Sequence, residues 1–295
     1  GGAGNNIQIN GGMVHATGGF LGAGIGGGGG AGATSGSGNV TIAGGKVTAV
    51  GGECAAGIGG GGGYQSTFGG GPTGGTGSVT ISGGIVDASS PTDVYWTGYA
   101  GAPIGNGGNA GDTAATVNKT TGIVFENGAG TVCGAVTLDG SYTVPGDYTL
   151  NIPAGASLSG SGTLSGGSAF TTENLTEDMI SVPTNLYYNG EDRSADITTE
   201  LSGELGKGIT ICGQTFTVSG WTLAVEKAAD SDLTYTAIYT NNSDNTKTVQ
   251  KTITLLQSGT DLTDGKVKTY KDGAECSDFT ASDTITVKAT PTATG

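Results

Sequence analysis

Positive charge is scarce in this chain. Its 295 residues include one arginine, Arg193, and one histidine, His15; lysine and arginine together number 11 against 25 acids, a net charge of -14. A polyanion with no basic patch interleaved with aromatics repels phosphate backbones, which excludes nucleic acid as a partner. The same sign repels anionic lipid. No apolar run approaches the roughly 20 residues of a membrane span, so membrane insertion is not expected. No stretch reads as a secretion signal either, but Gly1-Gly2-Ala3-Gly4 directly before a repeat reads as a cut through a longer array, so compartment is left open. Cysteine is sparse. Cys54, Cys133, Cys212 and Cys276 form no CxxC pair and have no histidine at ligand spacing, which argues against zinc. Four cysteines permit three pairings; free thiols are the expectation, and a Cys212–Cys276 bridge fits an oxidising compartment.

What the chain has is glycine, 62 residues of it, and a repeat. Ile7-Gln8-Ile9-Asn10-Gly11-Gly12, Val40-Thr41-Ile42-Ala43-Gly44-Gly45 and Val79-Thr80-Ile81-Ser82-Gly83-Gly84 each close a short β-run with a double glycine. A second alternating run follows each: 13–17, 46–50 and 85–89. A third element, Gly24-Ile25-Gly26 and Gly57-Ile58-Gly59, has a degenerate copy at Pro103-Ile104-Gly105. Alternation with apolar residues on one side and sharp glycine corners predicts three strands per coil, stacked in parallel: an all-β, right-handed parallel β-helix. The repeats start 33 and 39 residues apart, longer than a bare coil of roughly 20. The excess, 28–38 and 61–77, is expected to project from one face, as is the insert from Pro91 to Tyr99. The glycine tracts are not phosphate loops, because no Gly-Lys-Ser/Thr follows. They are expected to be mobile, the alternative being extended chains packed together.

The β-helix is expected over residues 1–168, with capping coils from about 116 built on 122–128, 131–138, 148–153 and 156–164. Composition shifts near 170: residues 1–170 carry Lys46 and Lys119 against seven acids, a net of -5, and the remainder carries -9. Beyond the shift, runs such as 181–188, 208–212, 214–218, 233–239 and 248–255 suggest a small immunoglobulin-like β-sandwich over 178–256, with Trp221, Leu223 and Tyr235 in its core. Residues 257–295 offer further strands, completing this module or opening another.

The tracts VTISGG, KVTAVGG, AGIGGGGG, GIVFENGAGTVCGAVTL, YTLNIPAGASLSGSGTL and GQTFTVSGWT with YTAIYTNNSDNTKTVQKTITL resemble multidomain cell-surface proteins of gut Firmicutes. In these, glycine-rich right-handed β-helix repeats precede bacterial immunoglobulin-like modules. The resemblance spans nearly the whole chain and is most specific over 116–164. It implies an extracellular, cell-wall-associated protein with an adhesion or carbohydrate-binding role.

The residues themselves offer little catalysis. Glycoside hydrolysis needs two carboxylates across a bond, and the coils hold only Glu53, Asp87, Asp93, Asp112 and Glu126. A lyase needs a base beside a neutralised substrate acid, and this half has only Lys46 and Lys119. Asp87 lies outward, but the equivalent places are His15 and Thr48, so no carboxylate ladder forms. His15 reads as an exposed strand residue, and the single Gly107–Asp112 copy of a calcium-type unit reads as a loop; no cofactor or metal is expected. Aromatics in the inserts are the better clue. Tyr64, Tyr95, Trp96 and Tyr99 with Asp93 offer stacking planes and an acceptor for sugar hydroxyls, or alternatively cover the side of the helix. The expectation is a monomeric, non-catalytic module binding glycans or a surface protein, with a structural stalk and a polysaccharide lyase or hydrolase as the alternatives.

Overall fold

The computed structural model describes residues 1–31, 34–64, 73–91, 100–110, 113–183, 186–257, 266–271, 274–275 and 285–290. The chain divides into two compact units. One comprises 1–181, 202–222 and 239–249; the other comprises 182–201, 223–238 and 250–295.

The repeat builds a parallel stack. One sheet orders strands Gly4–Ile9, Gly38–Ile42, Gly77–Ile81 and Thr116–Lys119; a second begins with Met13–Thr17, Lys46–Val50, Ile85–Ser89 and Gly122–Glu126. A third joins the two-residue strands at 25–26, 58–59 and 104–105, so the degenerate third copy is structurally a full member. Register keeps like on like: Ile9 beside Ile42 beside Ile81, and Val14 beside Val47 beside Val86. These apolar columns, with Ile25, Ile58 and Ile104, make one core. At the corners the second glycine of each pair takes φ of +82, +92 and +87, a region that L side chains avoid.

The described glycine tracts, 26–30 and 59–63, are not mobile inserts. Gly28 donates its N–H to Gly2, Gly36 to Gly28, Gly61 to Gly36, Gly75 to Gly61 and Gly107 to Gly75, at 2.8–3.0 Å. Backbone from 34–38 and 73–77 is thus threaded between the glycine segments of successive coils. Main chains approach closer than any side chain permits; a Cβ at Gly27, Gly36, Gly60, Gly61 or Gly75 would overlap backbone of the adjacent segment. The alternative, packed extended glycine chains, is what forms. Backbone hydrogen bonding recovers what the missing side chains cannot supply.

A hairpin then changes the architecture. Gly122–Glu126 pairs antiparallel with Ala129–Cys133 across Asn127-Gly128, whose φ values of 48 and 84 fit the tight hairpin turn that Asn-Gly favours. The second sheet continues without a break through Thr149–Ile152, Ala169–Thr172, Gln214–Val218 and Ile209–Ile211, nine strands in all. Strand direction has reversed, and so has the buried face. Val124 points into the first core, while Ile123 and Phe125 point into a second one with Val132, Leu150, Ile152 and Phe170. Strand direction and core side both invert while the stack advances the same way, so the coils keep one winding sense. Gly122–Glu126 is the shared wall, with Ile123, Val124 and Phe125 all at 0–1% exposure. A run buried on both faces loses its alternation.

The second stack is a compact three-strand solenoid with repeats of 20 to 22 residues, Ala129 on Thr149, Ala135 on Ser157 and Ser141 on Thr163. It is therefore not a cap on the first. Nor does it stop at 168: Phe170 and Phe216 pack edge-on at 5.2 Å, and Thr171 and Thr172 pair with Thr217 and Val218. The hairpin 209–218, turning at Cys212-Gly213, ends the sheet. Removing 171–295 should leave the first stack folded but strip the second of Phe216.

The expected immunoglobulin-like sandwich over 178–256 differs from what forms. Residues 209–218 belong to the solenoid sheet, and Ser194–Gly206 is an α-helix burying Ile197 and Leu201. Its Ile-Leu-Leu stripe at four-residue spacing outweighs a Thr-, Ser- and Gly-rich composition that disfavours helix. Strands Trp221–Lys227, Thr234–Asn241 and Thr248–Thr254 form one three-stranded sheet. Tyr235 is buried as expected, whereas Trp221 and Leu223 are half-buried. In the second unit, Arg193 donates to the Tyr187 carbonyl and pairs with Asp196, and its N–H donates to the Tyr235 hydroxyl. Strands Lys266–Lys271, Ala274–Glu275 and Ile285–Thr290 pair antiparallel.

Candidate functional site

Of the residues expected to form a site, Asp93, Tyr95, Trp96 and Tyr99 lie outside the described residues. Tyr64 lies in the two-residue strand Gly63–Tyr64, its backbone paired with Ala31. The structure instead brings together two other groups of side chains, both in the solenoid unit.

The first group follows from the switch of core face. Because the second stack stands on the outer face of the first, its leading coil overhangs strand 85–89 and reaches Lys46 of strand 46–50. Along that face His15, Thr48 and Asp87 form one column, and Met13, Lys46 and Ile85 the next. Tyr148 reaches down from the overhang and donates its hydroxyl to the Asp87 carboxylate at 3.3 Å. Tyr142 lies beneath Lys46, whose ammonium sits 4.8 Å from the ring centre, a cation–π contact. Phe125 supports both phenols, with ring centres 5.5 Å from Tyr148 and 6.0 Å from Tyr142.

Burial sets the electrostatics. Loss of water pushes the Asp87 carboxyl above its usual 3.8, opposed by the Tyr148 hydrogen bond and by Lys46 and His15. Tyr142 is pushed up to about 12 by burial and by Asp87, and Tyr148 rises for the same two reasons. An acid whose folded pKa is raised stabilises the fold most below its unfolded value and loses that contribution as pH rises through the folded one. Asp87→Asn should therefore melt higher than wild type at pH 7, with the gap closing as pH falls toward 4. Thermal scans from pH 4 to 8 test this; an unchanged gap across the range would mean that the overhang does not desolvate the carboxylate.

The second group lines an open recess of about 390 Å³ near the far end of the second stack. Trp221 forms part of its wall, its indole N–H held by the Glu173 carbonyl at 2.7 Å. Glu173, Asn174, Asn241, Thr246, Lys247 and Thr248 complete the polar lining. Asn174 is fixed by donating to Pro153 and Ala156 carbonyls, and the buried Asn241 caps the hairpin tip by accepting from Ser243 and Asp244. Lys247 and Thr248 stand exposed at the rim.

The repeat matches a known pattern. A family model described as a beta helix repeat fits residues 7–29 and 40–62. Those are the first two coils, from the opening strand through the glycine segment of each. No curated protein and no solved structure matches the chain. The beta helix repeat thus covers the part with the strict 33-residue register, and neither group of side chains above lies wholly within it. Among the described residues no three His, Cys, Asp or Glu side chains gather to hold a metal, and no helix is long and apolar enough to cross a membrane. Cys54, Cys133 and Cys212 are free thiols, each pushed up in pKa by burial; Cys276 lies outside the described residues.

Neither group was legible as a site beforehand. His15 and Asp87 stood out as outward residues, but the overhang that adds Tyr142 and Tyr148 depends on the core switching faces. Trp221 was expected inside a sandwich. The available signal was Asn127-Gly128 between apolar runs, which marks the hairpin and with it the reversal.

Proposed function

We propose that this chain is a non-catalytic binding module of a secreted, wall-associated bacterial surface protein, and that its ligand is a carbohydrate. The observation that carries this reading is the recess at Trp221. An aromatic wall beside hydroxyl, amide, carboxylate and ammonium groups suits a sugar, whose C–H face stacks and whose hydroxyls need both donors and acceptors. Binding without turnover is supported by the sparse acid chemistry. Among the described residues of the first stack the carboxylates are Glu53, Asp87 and Glu126, and Glu126 is engaged by Lys119. A rigid stalk is the second reading, favoured by the glycine lattice and the unbroken nine-stranded sheet.

A glycan array separates them. Wild type, Lys247→Ala, Thr248→Ala and Trp96→Ala should be compared on one array, with melting temperatures as controls. Retained signal in Trp96→Ala and about tenfold weaker binding in Lys247→Ala, at unchanged melting temperature, places the ligand in the recess. Loss in Trp96→Ala instead moves the site to the 91–99 loop. No binding by wild type leaves the stalk. Release of reducing ends or unsaturated products from pectins, glucans or mucin glycans would replace the binding reading with an enzyme.

A further inference from the structure

The overhang holds groups that the fold does not require. A carboxylate placed under another coil loses hydration, and the same outward column is filled at the neighbouring coils by His15 and Thr48. Among the described residues Asp87 receives only the Tyr148 hydroxyl, at 3.3 and 3.4 Å to its two oxygens, where a carboxylate has about four acceptor positions. Lys46 rests on a ring face, and among the described residues its ammonium makes no ion pair, so its donors remain open. His15 is exposed two strands away in the same column, about 10 Å from Asp87 by strand spacing. Thr48 lies between them. The result is a step: a floor carrying His15, Thr48 and Asp87, a phenol-bearing wall, one acceptor and one donor at the inner corner.

We infer that this step is a saccharide subsite, in which a sugar ring lies over Thr48 against Tyr148, donates hydroxyls to Asp87 and accepts from Lys46. It rests on the carbohydrate reading above and adds a second contact on different coils, so that one glycan chain or two branches engage the solenoid at two places. Paired sites raise avidity without any new fold.

The single histidine makes the test direct, because His15 is the only source of imidazole resonances in the chain. Cello-, xylo-, manno- and galacto-oligosaccharides and released mucin glycans are titrated into the full chain, with calorimetry for affinity and NMR of the His15 ring for location. The expected result is a saccharide-dependent His15 shift that disappears in Asp87→Asn, with calorimetric affinity falling about tenfold or more in that variant. Because that variant is expected to melt no lower than wild type, such a loss is not unfolding. Tyr148→Phe, which keeps the ring and removes the hydroxyl, should weaken binding less. Heat of binding without a His15 shift, or with Asp87→Asn unchanged, overturns the subsite and leaves the recess standing. No binding of any of these saccharides overturns both.

Discussion

Gly59→Ala should destabilise the protein by at least about 3 kcal/mol and lower its melting temperature by roughly 6–12 °C. Two costs add at this position. Its φ of +134 lies where side chains are strained, and a Cβ would overlap the carbonyl oxygen of Gly105 in the next coil. That oxygen cannot step aside, because it accepts the N–H of Gly60. Two nearby glycines separate the costs. Gly12, at φ +82 with open space around it, should lose only about 1–2 kcal/mol on the same change, the backbone term alone. Gly11, also in open space, should change by about 0.5 kcal/mol or less. Thermal and denaturant unfolding of the three variants gives the series; equal effects at Gly59 and Gly12 would show that the chains are not in close contact.

Phe125→Ala should cost about 3–5 kcal/mol, the largest loss expected from a single side chain in the second stack. Phe125 is fully buried, touches Tyr142 and Tyr148, and lies over Gly130, which has no side chain to refill the space. Val124→Ala, its neighbour on the opposite face, should cost about 2 kcal/mol. Because the two side chains feed separate cores and share no partner, the double variant should equal the sum of the singles to within about 0.5 kcal/mol. A strong coupling between adjacent residues would mean that both lie in a single core. Phe125→Ala should also loosen the two phenols over Asp87, so any ligand at the step should be lost with it.

The two variants bear on function in different ways. The glycine lattice fixes the spacing of the first stack's coils, and through them the spacing of His15, Thr48 and Asp87. The shared wall fixes how far the second stack overhangs that column. Neither element touches a ligand in the proposal, yet both set the geometry of the step.

The repeat was readable because it is local chemistry repeated. Period-two alternation decides which face of Val40-Thr41-Ile42 is buried, and a double glycine marks a corner, whatever lies on the far side. Coil membership of 101–105 was readable for the same reason. The packing of Gly26–Gly30 and Gly59–Gly63 was not. A glycine tract is compatible with mobility or with close packing, and only the alignment of 34–38 and 73–77 between the coils supplies the hydrogen bonds that decide it. Ile123-Val124-Phe125 carries a continuous apolar run in place of alternation, a sign of burial on two faces that the alternating flanks obscure. The helix at 194–206 has a composition that disfavours it and exists because Ile197 and Leu201 find a core. By itself the sequence determined a parallel solenoid with glycine corners, since those depend on neighbours a few residues or one coil away. The reversal at Asn127-Gly128, the transfer of the core to the opposite face and the step it creates were decided by tertiary structure, because burial on a second face depends on what is packed there.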